Sequence, residues 1–373
     1  MFAAGLVLAG CAPHRFAQVP VLAPGALSLV GSYVLPPVAK GEPWPQELSG
    51  AWLDPVTQEL FVVSDEDPGG AMMTMRLTVE PAVTLTPLRV VTVEAPVAGR
   101  SLDLEGVAPA AGAHLFVSSE GEEVSPGVAV PGILEVTRDG RLVRRHALPS
   151  AWAGMRVNLG LEGLSTSPDR RWLFAASEGP LSQDGPISGF EAGGLSRVLV
   201  RDLSSGRTRE YAYRAEPVPR WSDRPAVGEN GISDMLALSA DDLLILERAY
   251  VSEPGPGGRS GNTVRIFRVR LSPEAEVTGR WSLRDEPPAA VLRKTLVLDL
   301  ATVAPHLVER LQGLENFEAL FFGPRLRDGR PTLVLMSDNN GGQHQVTGVV
   351  VLAWEAAAGA GPARVLPSAA GVP

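Results

Sequence analysis

The chain has 373 residues and a formal net charge of −9 at pH 7, which argues against a nucleic-acid partner, because neutralising a phosphate backbone requires clustered lysine and arginine. Hydrophobic residues make up 45% and charged residues 20% of the chain, as is usual for a folded soluble protein with a substantial core. The single cysteine, Cys11, excludes an internal disulfide framework and a cysteine-based zinc site.

The N-terminal segment resembles a bacterial lipoprotein signal. Leu8-Ala9-Gly10-Cys11 matches the lipobox, in which the cysteine is lipidated and becomes the mature N-terminus. Residues 1–11 are therefore predicted to be a signal peptide and residues 12–25 a tether, with the protein lipid-anchored at Cys11 in the bacterial cell envelope, outside the cytoplasm. None of the ten residues before Cys11 is Lys or Arg, so we expect the signal to start upstream of Met1. The alternative is a frayed apolar end with a chance cysteine.

Short apolar runs separated by glycine and proline follow the tether. The chain contains 40 Gly and 33 Pro, which suits many short strands joined by many turns. The run from Ala26 to Leu35 reads as a strand with no hairpin partner nearby. We therefore predict one all-β domain over residues 26–355, in which this strand pairs with the last unit, followed by a flexible tail over residues 356–373.

Five passages of this domain share one pattern. Each passage has a serine or an acid at the start of one strand. A second strand then ends in a serine followed by an acidic residue, or in a similar pair. The passages are Leu48-Ser49-Gly50 to Ser64-Asp65, Leu104-Glu105-Gly106 to Ser119-Glu120, Leu161-Glu162-Gly163 to Ser177-Glu178, Ile232-Ser233-Asp234 to Leu246-Glu247, and Phe317-Glu318-Ala319 to Ser337-Asp338. Repeated four-stranded units of this kind are typical of β-propeller blades.

The blade count is five from the visible repeats. The interval from Ser233 to Glu318 is longer than the others, at about 85 residues, and leaves room for a further element near Val291 to Leu300. The sequence therefore predicts a single β-propeller of four-stranded blades with five repeats visible, and it also allows six.

The repeated acids are predicted to meet in space. In an antiparallel hairpin, the start of the first strand lies beside the end of the second, so a radial arrangement brings ten positions to one face. They are Ser49, Asp65, Glu105, Glu120, Glu162, Glu178, Ser233, Glu247, Glu318 and Asp338. Crowded carboxylates repel one another and their pKa values rise unless cations neutralise them.

Calcium suits such a cluster, because Ca²⁺ takes six to eight oxygen ligands. The candidate metal ligands are Asp65, Glu105, Glu120, Glu162, Glu178, Glu247, Glu318, Asp338 and Asn339. The structural alternative for each acid is that it accepts backbone N–H groups at the end of its strand. Arg248, directly after Glu247, can bind a phosphate or carboxylate through two hydrogen bonds, or it can pair with the surrounding acids.

The order and number of these motifs resemble the phytase-like family of bacterial proteins, described as having esterase-like activity and related to β-propeller phytases. The motifs are Asp103-Leu-Glu-Gly106, Gly160-Leu-Glu-Gly-Leu-Ser165, Ala176-Ser-Glu178, Leu246-Glu-Arg248 and Ser337-Asp-Asn-Asn340, within a match over about Ser28 to Trp354. The resemblance implies a secreted or lipid-anchored propeller whose acids hold calcium. β-Propeller phytases add several basic residues that bind phosphate, whereas the motif positions here supply Arg248.

Two functions fit these observations. The first is a metal-dependent hydrolase of small phosphate esters or other esters, with Arg248, Glu162 and Glu178 as the catalytic residues. The second is a non-catalytic propeller with structural calcium whose loops bind a ligand or partner. The second is favoured by the scarcity of lysine and by the lack of a Gly-x-Ser-x-Gly nucleophile motif in the sequence.

Overall fold

The computed structural model describes residues 27–38, 42–66, 70–96, 102–125, 128–342 and 344–355. The predicted signal peptide with Cys11, the predicted tether and the predicted tail all lie outside these ranges. Within them the helical segments are short 3₁₀ turns, none of which has the length or apolar character to cross a membrane. These turns are Ser150–Gly154, Pro273–Ala275, Pro288–Ala290, Leu300–Thr302, Ala304–His306 and Glu309–Leu311.

The strands of the described ranges form five antiparallel sheets of four strands each. Blade 1 contains β2 (Leu48–Leu53), β3 (Leu60–Ser64), β4 (Ala71–Thr78) and β5 (Thr84–Thr92). Blade 2 contains β6 (Leu104–Pro109), β7 (His114–Ser125), β8 (Val128–Thr137) and β9 (Leu142–His146). Blade 3 contains β10 (Leu161–Thr166), β11 (Trp172–Ser177), β12 (Leu195–Asp202) and β13 (Thr208–Arg214). Blade 4 contains β14 (Val227–Ala237), β15 (Asp242–Ser252), β16 (Ser260–Arg270) and β17 (Lys294–Asp299). Blade 5 contains β18 (Asn316–Gly323), β19 (Thr332–Asp338), β20 (Gly348–Trp354) and β1 (Leu27–Val34).

The sheets are arranged in a ring. The first strands of the blades, β2, β6, β10, β14 and β18, contact one another in cyclic order, and β18 returns to β2. The prediction of an all-β chain forming one propeller of four-stranded blades is therefore confirmed, and the number of blades is five. The segment that left room for a sixth blade is β17, the outer strand of blade 4, which pairs with β16.

The ring is closed by the N-terminal strand, as the sequence predicted. β1 pairs antiparallel with β20, with Leu27 opposite Trp354 and Val34 opposite Gly348. The Ser28 hydroxyl also donates a 2.6 Å hydrogen bond to the Glu355 carboxylate. Residues from both ends of the propeller sequence thus form one blade, which ties the ring together.

The hydrophobic core lies between neighbouring blades rather than at the axis. Each pair of adjacent sheets buries its own apolar cluster, such as the one in which Val62 and Met73 of blade 1 pack near Val334 and Val351 of blade 5. Because both faces of a sheet are covered by neighbours, the strands are apolar nearly throughout. Polar side chains can therefore lie together near the axis, at one end of the ring.

Candidate functional site

Each innermost strand has an irregularity at the same point. The pairing register shifts between Leu48 and Ala51, Leu104 and Gly106, Leu161 and Leu164, Ile232 and Asp234, and Phe317 and Ala319. The first residues within these shifts are Ser49, Glu105, Glu162, Ser233 and Glu318, and the shifts in blades 1 and 3 also enclose Gly50 and Gly163. A β-bulge of this kind redirects one side chain, and here it occurs at the five first-strand positions that the repeat predicted.

The small residue after the bulge has a packing role. A Cβ atom on Gly50 would lie 2.4 Å from the Glu105 carbonyl oxygen, and one on Gly106 would lie 2.6 Å from Leu164 Cβ. Both distances are far below van der Waals contact. The recurrent step of an acid or serine followed by glycine therefore places the polar side chain at the axis and allows the neighbouring inner strand to approach closely.

The second strand of each blade supplies a second set of side chains. Leu48, Leu104, Leu161, Ile232 and Phe317 lie opposite Ser64, Ser119, Ser177, Glu247 and Ser337. The residue that follows each of these second-strand partners therefore occupies the same structural position in every blade. These equivalent residues are Asp65, Glu120, Glu178, Arg248 and Asp338.

The register corrects the prediction for Glu247. It occupies the position of the serines, while Arg248 takes the place of the carboxylate in blade 4. Glu247 is instead a fully hydrogen-bonded core carboxylate: it accepts from the Tyr213 hydroxyl at 2.5 Å and from Lys294 Nζ at 2.6 Å. The Glu216 N–H at 2.9 Å and the Asn230 amide at 3.0 Å complete its partners. We therefore remove Glu247 from the candidate ligands.

Two groups of carboxylates lie close enough to share a cation. One oxygen each from Asp65, Asp103 and Glu105 lies within 4.8 Å of the others, and the same holds for Glu120, Glu162 and Glu178. We call these sets the first and second acidic triads. Asp103 was missed by the sequence reasoning, although it precedes Leu104 directly and its equivalent in blade 1 is Glu47, so the repeat itself contained the signal.

Two more of the predicted ligands, Asp338 and Asn339, are engaged in the local fold. Asp338 accepts hydrogen bonds from the backbone N–H of Leu48 at 3.0 Å and of Asn340 at 2.6 Å. The Asn339 side-chain oxygen accepts from the Gly341 N–H at 3.1 Å, which is a turn-forming role. Asp338 thus links blade 5 to blade 1, and Asn339 stabilises the turn after β19.

The two serines at bulge positions differ. The Ser233 hydroxyl donates to the Phe317 carbonyl at 3.1 Å and so connects blades 4 and 5. Ser49 is 1% exposed, and its hydroxyl has no hydrogen-bond partner among the described residues. One carboxylate oxygen of Asp65, Oδ1, is also buried without a described partner. Blade 1 therefore offers two buried oxygens that the protein does not saturate.

Burial raises the pKa values of the acids. Desolvation, followed by repulsion from neighbouring carboxylates, raises the pKa of Asp65 to about 7 and that of Asp338 to about 8. Burial likewise raises the pKa of Glu120 to about 7, although the Gly160 N–H donates to it. For Glu178 the value is about 8, with burial as the main cause and Arg248 opposing it.

The carboxylates that project from bulges behave in the same way. Burial and neighbouring acids raise the pKa values of Glu105 and Glu162 well above their usual range. Burial also raises the pKa of Glu318, against the opposing charge of Arg248. Without a cation, several of these acids hold protons near neutral pH.

Arg248 is the cation within this set. Its Nη2 lies 3.4 Å from both Glu178 and Glu318, and its Nη1 lies 3.7 Å from Glu229. Its Nε is buried without a described hydrogen-bond partner. Burial disfavours the charge, but the neighbouring carboxylates outweigh it and raise the pKa of Arg248. Arg248 thus offsets the charge of carboxylates from blades 3, 4 and 5.

These features define a class of protein: a five-bladed β-propeller whose axis ends in a cluster of buried carboxylates with one arginine. The Phytase-like family model, described as esterase-like activity of phytase, matches residues 43–341, and the chain belongs to this family. None of the curated proteins gives a significant match.

Similar solved structures include the Dos1 propeller, at 10% identity and a TM-score of 0.35, covering 83% of this chain and 68% of that one. The N-terminal domain of Nup159 has 9% identity and a TM-score of 0.34, covering 91% and 97%. The periplasmic gluconolactonase PpgL of Pseudomonas aeruginosa has 16% identity and a TM-score of 0.30, covering 67% and 88%. At these values the likenesses carry no functional information about this chain.

Proposed function

We propose that the protein is a calcium-dependent hydrolase of phosphate esters or related esters, anchored in the cell envelope. The observation that supports this most is the imbalance of charge at the axis. Eight carboxylates, those of the two acidic triads with Glu318 and Asp338, are accompanied at the equivalent ring positions by one cation, Arg248. Four of these carboxylates are buried and four are half-buried, and such an excess of negative charge is destabilising unless cations neutralise it.

The residues fit a calcium ion. All the donors are hard oxygen atoms, as Ca²⁺ prefers, and both Asp65 Oδ1 and the Ser49 hydroxyl are buried without a described partner. The first acidic triad, Asp65, Asp103 and Glu105, and the second, Glu120, Glu162 and Glu178, would hold the ions. Bound calcium would supply charge neutralisation at the ester and would increase the acidity of water.

The side chains would divide the remaining work. Arg248 lies beside Glu178 and keeps a small part of its side chain exposed, so its guanidinium can bind an anionic oxygen of the ester and stabilise negative charge as it develops. Glu162, in the same triad as Glu178, would accept the proton of the attacking water at a carboxylate oxygen. In this scheme Glu178 orients Arg248 through their 3.4 Å contact.

Activity assays test the proposal directly. The purified protein should hydrolyse phosphate or carboxylate esters with calcium and lose that activity in chelator. Glu162→Gln should reduce turnover at least about 100-fold, since general-base catalysis contributes that much, and should leave the metal-free melting temperature unchanged or higher. Glu191→Gln is the matched control, because this glutamate is 87% exposed and pairs only with Arg220 among the described residues. Absence of turnover on every ester, with and without calcium, would count against an enzyme.

The second candidate function is a non-catalytic propeller whose calcium is structural. It is favoured by the single basic side chain among the ring positions, since phosphate binding normally uses several cations. Under this alternative, Glu162→Gln would lower the melting temperature strongly in the presence of calcium, and no ester would be turned over. The same variant therefore separates the two functions.

The envelope location rests on the lipobox at Cys11 and has its own test. Expressed with a complete lipoprotein signal that includes a basic start, the chain should appear in the membrane fraction of a bacterial host, and Cys11→Ser should release it into the soluble extracytoplasmic fraction. A full-length protein that stays soluble without the substitution would contradict the anchor and leave the hydrolase proposal untouched.

A further inference from the structure

A second concave site lies at the opposite end of the propeller from the acidic triads. An open surface cavity of about 320 Å³ lies at the seam between blades 1 and 5, and its walls include Gln58, Arg76, Glu80, Pro324, Arg325 and Arg327. Gln58 belongs to the turn that joins β2 to β3. Ser49 and Asp65 lie at the opposite ends of these two strands. The length of these strands therefore separates the cavity from the candidate calcium ligands.

Three arginines belong to the lining of this cavity: Arg76, Arg325 and Arg327. The one carboxylate in the lining is that of Glu80, whose Oε2 accepts a 2.6 Å hydrogen bond from the backbone N–H of Arg327. Among the described residues no carboxylate forms an ion pair with any of the three arginines. A local excess of positive charge is unusual for a chain whose net charge is −9.

The loop that carries two of these arginines is held in place. Leu326 is 6% exposed and packs into the core between blades 1 and 5. Its N–H donates to the Arg330 carbonyl at 2.9 Å, and the Gly329 N–H donates back to the Leu326 carbonyl at 2.8 Å. Arg325 Nη1 donates to the Gly329 carbonyl at 2.9 Å. Arg325 and Arg327 therefore flank a buried anchor, and little loop entropy is lost when a ligand binds between them.

We infer that this cavity binds a phosphate-bearing anion. The guanidinium group presents several N–H donors in a planar fork that matches phosphate oxygens, and it stays charged at all relevant pH values. The lining has three arginines and one carboxylate, which already accepts a hydrogen bond. This composition favours an anion site over an internal ion-pair network. The inference does not depend on the hydrolase proposal, because it concerns other residues at the other end of the molecule.

The direction of β1 bears on the source of the phosphate. β1 belongs to blade 5 and begins at Leu27, opposite Trp354, whereas β19 of the same blade ends at Asp338. The N-terminal end of the described chain thus emerges at the end of the propeller that holds the cavity. A lipid headgroup and a soluble phosphate compound both present the chemistry that this site recognises.

Titration calorimetry with inorganic phosphate tests the site. The assay uses the full chain with Cys11→Ser in chelator, so that calcium cannot bind phosphate at the acidic end. The double variant Arg325→Gln/Arg327→Gln should weaken phosphate binding by at least about tenfold, since each charge-assisted hydrogen bond is worth that much. Arg207→Gln removes the same kind of charge from the exposed β12–β13 turn, outside the cavity, and should leave binding unchanged.

Vesicle sedimentation separates the two sources. Binding to phosphatidylglycerol vesicles that the double variant loses and Arg207→Gln retains would identify a lipid headgroup. Phosphate binding without vesicle binding would identify a soluble ligand. Equal phosphate affinity in wild type and the double variant, with both proteins showing the same melting curve, would overturn the site, as would the absence of phosphate and vesicle binding in the wild type.

Discussion

Glu178 and Glu247 are carboxylates on the second strands of neighbouring blades, and they have different environments. Glu178 directly follows β11 on the axial side, where it meets Arg248 and two other glutamates. Glu247 is one register position short of that point, and its side chain meets Tyr213 and Lys294 instead. A shift of one residue along a strand moves the side chain to the other face of the sheet, so neighbouring sequence positions acquire unrelated roles.

Substitutions at these two glutamates should therefore have opposite effects. Glu247→Gln leaves the ammonium of Lys294 without its buried partner, and we expect it to lower the free energy of unfolding by about 3 kcal/mol without changing calcium affinity. Glu178→Gln removes a charge that burial disfavours, so it should leave metal-free stability unchanged or higher and weaken calcium binding. Urea denaturation and a calcium titration of both variants measure this. Weaker calcium binding by Glu247→Gln at unchanged stability would contradict the assignment.

At the scale of the strand, the bulge and the following small residue act together. The bulge directs an acid to the axis, and the small residue lets the next inner strand approach it. Blade 4 differs, because Asp234 stands at the position of the glycine. Its carboxylate accepts hydrogen bonds from the backbone N–H groups of Met235 and Leu320, each at 2.7 Å. The innermost strands are therefore joined both by close backbone packing and by a buried carboxylate between blades 4 and 5.

Gly106→Ala tests this packing. The added Cβ would lie 2.6 Å from both Leu164 Cβ and Ser118 Oγ, so blades 2 and 3 must separate, and we expect a loss of about 1–3 kcal/mol in the free energy of unfolding. Gly189→Ala is the matched control, since nothing lies within 4 Å of its added Cβ and a change within about 0.5 kcal/mol is expected. Equal stabilities of the two variants in urea denaturation would show that the inner strands tolerate the extra atom.

At the scale of the whole molecule, the axial acids couple stability to pH. Carboxyl pKa values near 4 in the unfolded chain rise in the folded protein, to about 7 for Asp65 and Glu120 and to about 8 for Glu178 and Asp338. The metal-free folded state therefore binds more protons than the unfolded state between about pH 4 and pH 8. The stabilisation that these groups contribute is complete below about pH 4. It is lost as the pH rises through their folded-state pKa values.

Thermal melts should reveal this coupling. In chelator we expect the melting temperature to fall by about 5 °C or more between about pH 5.5 and pH 8.5, because each proton of difference amounts to about 1.4 kcal/mol per pH unit. Calcium should raise the melting temperature, and more at the higher pH, because the ligands must be ionised to bind it. Differential scanning fluorimetry with chelator or calcium measures both effects. A metal-free melting temperature that rises over this range would contradict the assigned pKa shifts.

The sequence by itself determined the architecture and most members of the site. Repeated strand pairs with an acid at a constant point predict a ring whose acids share one end, since antiparallel hairpins have only one way to place those residues. The unpaired strand at Ala26–Leu35 likewise predicts ring closure. Calcium ligation, catalysis and lipidation at Cys11 remain predictions that the experiments above test.

Only the tertiary structure decided what depends on register and on contacts between blades. Glu247 and Arg248 are adjacent, and without the pairing Ile232 opposite Glu247 the repeat alone does not show which of them reaches the axis. Asp103 joins the first acidic triad because the blade 1 and blade 2 strands approach at the axis, a contact between distant parts of the chain. The cavity with Arg76, Arg325 and Arg327 exists because the first and last blades meet there, and such contacts leave no local pattern in the sequence.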